Sequence, residues 1–424
     1  MRDPVHEGVD NSLGGRLRTP KGFSPSAQGC EERATLGVRR AAVPTLKGLY
    51  VPGRQKGLTR DLDATFSGFK LTSHLLASMI LAWGCWFPSH ALSAATEQTV
   101  PKGSRLLGCN VTEPENKDYD AAMGLAKSAG VQVVSLKLDW DAVEKKPNVF
   151  TSPWPKVANA YYPRQNIQVS LRVATLDTDQ NRIPADLRDK PFNDPAVIAR
   201  FNQLMDWVFA EMPDVNLAEL SIGNEVDGVL GADPVKWKQY TELFAATRKH
   251  ALQKRTGLKV GVSIMFGGHT KNATKFAAAI NEQTDVVMVS YYPLTPAFAV
   301  RAPQVVHDDF NAICRMYPNR PISFVEAGYP SGSGCGSSEA KQQQFVNELF
   351  AAWDEHPEQI RLVTFVWLHD IVPAAVDTFG KYYGVSSPAF RDYLGTLGLR
   401  TYKNAGADKP AFTSLKQQAK ARGW

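Results

Sequence analysis

From residue 104 onward, short apolar runs bounded by turn residues alternate with stretches whose apolar positions recur at helical spacing. The runs are "RLLGCNV" (105–111), "VQVVSLKL" (131–138), "IQVSLRVAT" (167–175), "LAELSIG" (217–223), "LKVGVSIM" (258–265), "DVVMVSYY" (285–292), "PISFVE" (321–326) and "RLVTFVW" (361–367). Near-continuous β-rich runs of this kind mark parallel strands covered on both faces. The stretches between them carry helix signals. "DYDAAMGLAKSAG" (118–130) is closed by Gly130. Asp194 followed by Pro195 opens a helix whose apolar face is Val197, Phe201, Leu204 and Val208. Asp233 and Pro234 repeat the device, and Ser337 or Ser338 precedes Glu339 and another apolar stripe. Eight strand–helix units predict a single (β/α)8 barrel over 96–424. The rival is a doubly wound open sheet. It would carry a Gly-rich nucleotide loop after an early strand, and "GCNVTEP" is not one.

The first 95 residues are of another kind. "LTSHLLASMILAWGCWFPSHALSAA" (71–95) holds no charged residue except histidine, follows Lys70 and ends on small residues. That order of basic flank, apolar segment and small-residue end describes a secretory signal peptide over 70–95, cut after Ser93 or Ala95. An uncleaved anchor is the alternative, but Pro88 and His90 cut the apolar run below the ~20 residues a span needs. Residues 1–69 are Gly-, Arg- and Pro-rich, and are expected to be a disordered or mis-called upstream extension. Export to the periplasm or the extracellular space follows, with no stable membrane association after cleavage.

Charge adds little once it is located. Residues 1–95 carry 12 of the 48 basic and 7 of the 42 acidic residues, leaving 36 and 35 for the rest. The formal charge of +6 therefore sits in the leader, and no nucleic-acid partner is implied. Three cysteines remain after cleavage, and export would allow Cys314 to pair with Cys335, which lies in a Gly/Ser-rich loop. No Cys or His spacing suits a metal.

The chemistry-bearing residues fall at strand ends. "LSIGNEV" stops an apolar run on Asn224 and Glu225, and "PISFVEAGYP" does the same with Glu326. In a barrel these positions, on strands four and seven, share one mouth. Two carboxylates facing one cleft are the minimum for glycoside hydrolysis: one protonates the leaving oxygen, the other attacks the anomeric carbon or activates water. Asn224 suits a hydroxyl beside the reacting carbon, Tyr292 suits donation to Glu326, and Trp367 offers a flat face to a sugar ring. Arg172 interrupts strand three and is either a cation inside the barrel or an outward residue bonded to a helix. Trp140 and His269 are further candidates for substrate contact.

"IGNEV" ending strand four and "FVEAGYPS" ending strand seven resemble the clan A glycoside hydrolases, with a weaker local resemblance to endo-β-1,4-galactanases in "SYYP". The resemblance implies a (β/α)8 barrel that cleaves β-glycosidic bonds with retention. It assigns Glu225 as acid/base and Glu326 as nucleophile, with carboxyl groups about 5–5.5 Å apart. A β-linked oligo- or polysaccharide would be the substrate, and no cofactor is needed. The sequence departs from the pattern where strand two should end near an Arg: it reads "LKLDW", with Lys137 and Asp139. No His precedes the strand-four motif, and His269 is the nearest candidate.

Other readings are a non-catalytic carbohydrate-binding barrel, a metal-dependent hydrolase and, through Lys137, a Schiff-base aldolase. The first does not call for a carboxylate on both strands, and the second needs clustered His and Asp. The loops after strands two and four read as short, which favours an open cleft. The longest insertion, 368–407, is expected to form one wall.

Overall fold

Every apolar run named above is a strand. In the computed structural model, which describes residues 99–424, the parallel strands are β1 (Leu106–Asn110), β2 (Val133–Asp139), β3 (Gln168–Asp177), β4 (Leu217–Asn224), β5 (in two pieces, Val260–Gly261 and Ser263–Met265), β6 (Val287–Tyr291), β7 (Ile322–Ala327) and β8 (Ile360–Val366). The leader and signal segment fall outside the described residues. The first piece of β5 pairs with β4, the second pairs with β6, and β1 pairs with β8, so the sheet returns on itself as a barrel. A two-residue strand, Gln180–Asn181, folds back antiparallel on the end of β3.

The helices begin where their caps require. Asp194 accepts the amide of Ala196, Asp233 those of Val235 and Lys236, and Ser338 that of Lys341. Each satisfies a donor that the first helical turn leaves open, and proline in the first turn has no such donor to lose. The buried faces of these helices pack on the outside of the sheet in one large apolar cluster. It runs from Leu107 and Leu136 to Phe345 and Leu415.

The bore of the barrel is different. It is lined by buried Ser135, Ser170, Ser221, Ser263, Ser290, Ser323 and Thr364, with charges at two levels. Toward the N-terminal ends of the strands, Glu219 accepts from Ser170, Ser323 and Arg361. Toward the C-terminal ends, Arg172 reaches across from β3 to β7. Buried charge needs such partners to be tolerated.

The insertion after β8 folds into two helices, Pro373–Tyr383 and Pro388–Gly395. Phe379, Tyr383, Phe390 and Tyr393 join Phe298 and Trp367 in a second apolar cluster. The insertion is thus packed onto the end of β8 through Trp367. The bridge that export would allow is not formed: Cys314 and Cys335 are unpaired and buried. Cys314 faces the core from the Val305–Met316 helix, while the Cys335 thiol donates to the carbonyl of Gly332 at 3.1 Å. Among the described residues no helix is long and apolar enough to cross a membrane.

Candidate active site

Strand β4 turns at Gly223, where the backbone has a φ of 84° and a side chain would strike the hydroxyl of Tyr240, and it ends at Asn224. Glu225 follows with a φ of 49°, an uncommon conformation for a residue with a side chain. Asn224 and Glu225 are wholly buried, and Oε2 of Glu225 accepts the hydroxyl of Thr178 at 2.8 Å. Glu326 sits on β7 beside a register shift against β6. Such irregularities re-aim side chains at strand ends. It is 3% exposed.

Arg172 joins these pieces. One guanidinium nitrogen donates to Glu326 and, at 3.3 Å, to the amide oxygen of Asn224; the other donates to Ser135 at 3.0 Å and to the carbonyl of Val325 at 2.9 Å. Of the two readings left open by the sequence, the interior cation holds. Burial opposes its charge, but the Glu326 carboxylate more than offsets that, and Arg172 is held above its usual pKa. Tyr292, just beyond β6, donates to the other oxygen of Glu326 at 3.0 Å. Burial first, then the nearby Glu326 charge, push its phenol well above the usual range, so it stays a donor.

Asp177 and its partners make up the remaining side of the mouth. Its carboxylate accepts the amide of Asn224 at 3.0 Å, Lys137 at 2.9 Å and the hydroxyl of Tyr382 at 2.9 Å. Lys137 also binds Asp139 at 2.6 Å, and Arg182 binds both Asp139 and Asp141. Lys137 is thus an ion-pair partner, and Asp139 belongs to this charge network.

Two other candidates lie elsewhere. Trp140 is fully buried, packs on Phe201 and donates its indole nitrogen to Glu144 at 2.6 Å. It is a core residue because it opens the Trp140–Val143 helix and turns inward. His269 is also fully buried, bonded to the hydroxyl of Tyr317 at 2.7 Å and the carbonyl of Met288 at 3.3 Å. Burial lowers its pKa to about 4. Trp367 does end β8, after a cis peptide, but it packs under the insertion, stacked on Phe379 at 6.4 Å. Asp177, Thr178, Ser135 and Tyr382 were not singled out from the sequence. The end of β3 shifts register between Val173 and Asp177, so strand alternation does not reveal which way Asp177 faces. Among the described residues no group of three or more His, Cys, Asp or Glu could hold a metal ion.

No family model matches the chain. It is 25% identical over 201 residues to the F420-dependent glucose-6-phosphate dehydrogenase of Mycobacterium leprae (strain Br4923), a match covering 46% of this chain. The chain spans about half the length of that curated relative. Solved structures are similar over more of its length. A GH5 subfamily 18 enzyme from Streptomyces cattleya, solved in complex with GlcNAc, has a TM-score of 0.57 at 14% identity, over 77% of this chain and 81% of that one. The exo-β-1,4-mannosidase of Opitutaceae bacterium strain TAV5 has a TM-score of 0.60 at 14% identity, over 75% and 59%. Xylanase 10B of Thermotoga maritima has 0.55 at 12%, over 75% and 96%. These neighbours are clan A glycoside hydrolases, and the likeness is one of fold.

Proposed function

We propose that this protein is an exported retaining glycoside hydrolase that cleaves β-glycosidic bonds in oligo- or polysaccharides. The observation that carries the reading is the pairing of Glu326 with Arg172 and Tyr292 in the same mouth as Asn224 and Glu225. A guanidinium and a phenol donating to Glu326 favour its ionised form, which suits a nucleophile. Glu225 lies in a dry site on a different strand, where it serves as the proton donor.

In the first step Glu225 protonates the departing glycosidic oxygen as a Glu326 oxygen attacks the anomeric carbon. The carbon–oxygen bond to the leaving group breaks, and a glycosyl ester forms on Glu326. In the second step Glu225, now a carboxylate, takes a proton from water. The water oxygen attacks the same carbon, and Glu326 leaves as carboxylate. Asn224 holds the hydroxyl next to the reacting carbon, and Trp367 bears on the sugar ring once substrate has entered.

A non-catalytic carbohydrate-binding barrel is the other reading, and the half-length dehydrogenase match raises hydride transfer as a third. Neither calls for this division of partners between two carboxylates. The test is sugar release from a panel of β-linked polysaccharides and aryl β-glycosides by the chain from residue 96 onward, with Glu326→Ala beside it. Release by the unaltered protein alone is expected. Release by both proteins would show that Glu326 is not the nucleophile, and binding without release would favour the non-catalytic barrel.

A further inference from the structure

The Asp177 carboxylate joins the chemistry of the mouth to the insertion above it. It is fully buried at the end of β3. Its Oδ1 accepts Asn224 Nδ2 at 3.0 Å, and its Oδ2 accepts Lys137 and the Tyr382 hydroxyl, each at 2.9 Å. Asn224 is held at its other end too, its oxygen accepting from Arg172. A carboxamide can face either way in a site, and here the partners decide. An acid takes the NH2 group and a guanidinium takes the oxygen. The amide nitrogen has two hydrogens, of which Asp177 takes one and fixes the direction of the other.

The insertion bears on this because it carries Tyr382. Glu225 and Glu326 are 0% and 3% exposed, and Tyr383 and Tyr393 of the insertion lie near enough to feel the Glu225 charge. A wider mouth for a sugar would come from displacing the Pro373–Tyr383 helix. Displacement takes the Tyr382 hydroxyl away from Asp177. Lys137 stays, because it stands on β2 of the barrel itself.

We propose that Asp177 is the positioning residue for Asn224, and that Tyr382 makes that positioning depend on the Pro373–Tyr383 helix lying over the mouth. The proposal rests on the glycosidase reading. Open, the site has an under-restrained amide. Closed over a sugar, it aims the amide at the hydroxyl beside the anomeric carbon, so closure and assembly of the site are one event.

The test uses an aryl β-glycoside of whichever sugar the unaltered chain releases, together with its 2-deoxy counterpart. If Asp177 acts through Asn224, Asp177→Ala and Asn224→Ala each lower kcat/KM on the full sugar by about 10- to 100-fold. Each then costs less than about threefold on the 2-deoxy sugar, and the double variant is no worse than either single one. Asp177→Asn keeps an acceptor for the amide and restores most of the loss. Tyr382→Phe removes one hydroxyl from a half-buried position, gives the same pattern at smaller size, and carries the test if Asp177→Ala does not fold. Equal losses on both sugars, or losses that add in full between Asp177 and Asn224, would overturn the proposal and leave Asp177 a structural residue. No turnover of any glycoside by the unaltered chain would overturn the glycosidase reading, and this inference with it.

Discussion

Glu326 receives a guanidinium and a phenol, whereas Glu225 receives the hydroxyl of Thr178. On the proposed reading these two carboxylates have two roles, which sets distinct expectations for each. With Glu225→Ala and an activated aryl β-glycoside, the first step needs little acid help and the glycosyl-enzyme accumulates. Added azide is expected to restore turnover and give a β-glycosyl azide. With Glu326→Ala, azide replaces the missing nucleophile and the product is the α-glycosyl azide. The anomeric configuration of the product, read by NMR, checks both assignments, and the reverse outcome would exchange the two roles.

Residues away from the mouth make a separate prediction, about pH. The His269 pKa is lowered by burial to about 4, so in the folded protein it stays neutral while the unfolded chain takes up a proton below about 6.5. Its contribution is therefore lost as pH falls from about 6.5 to 4, by roughly 3.4 kcal/mol at most. Burial raises the Asp227 pKa to about 7, which has the opposite slope over the same range, so the whole-protein curve hides both. The stability difference between His269→Gln and the unaltered protein should shift in favour of the variant across that window. Denaturant unfolding at several pH values reads it, and a difference independent of pH would mean His269 is not held neutral.

At the scale of elements, the eight strands were legible because each is a β-rich run between turn residues, and the helices because Asp–Pro and Ser–Ser–Glu starts mark their caps. The site was legible where a polar residue ends an apolar run, as Asn224, Glu225 and Glu326 do. It was not legible where orientation depends on register or on an inserted element. Trp140 and His269 are aromatic residues near strand ends, but local helical turns carry both into the core. The aromatic faces of the two insertion helices meet Trp367 and Phe298, a contact that local pattern does not reveal.

On the proposed reading the insertion moves to admit substrate, so it should open more readily than the barrel. Backbone amides of 373–395 are expected to exchange with solvent orders of magnitude faster than those of β2, β3 and β4, through a local opening. Equal protection in hydrogen exchange would make the insertion a fixed part of the core and would require another route to the carboxylates.

For the whole molecule, the large apolar cluster lies outside the sheet, and the inner faces of the strands carry small hydroxyls, two small apolar clusters and two charge pairs. The lower pair, Arg361 and Glu219, stands toward the N-terminal ends of β8 and β4, the same strands that end at the site. Arg361→Met leaves Glu219 buried beside two serines, with an expected cost of about 3–5 kcal/mol in urea unfolding. Adding Glu219→Gln should recover part of it. A cost under about 1 kcal/mol would mean that solvent already reaches Glu219.

The whole account turns on a bond that forms between sugar and protein. A 2-deoxy-2-fluoro glycoside with a good leaving group slows both steps but the second more, so the intermediate can be isolated. Mass spectrometry of the digested protein is expected to find one sugar added, on the peptide that contains Glu326, with none on Glu326→Ala. A label on Glu225, or turnover of ordinary glycosides with no label anywhere, would contradict the assignment of Glu326 as the nucleophile.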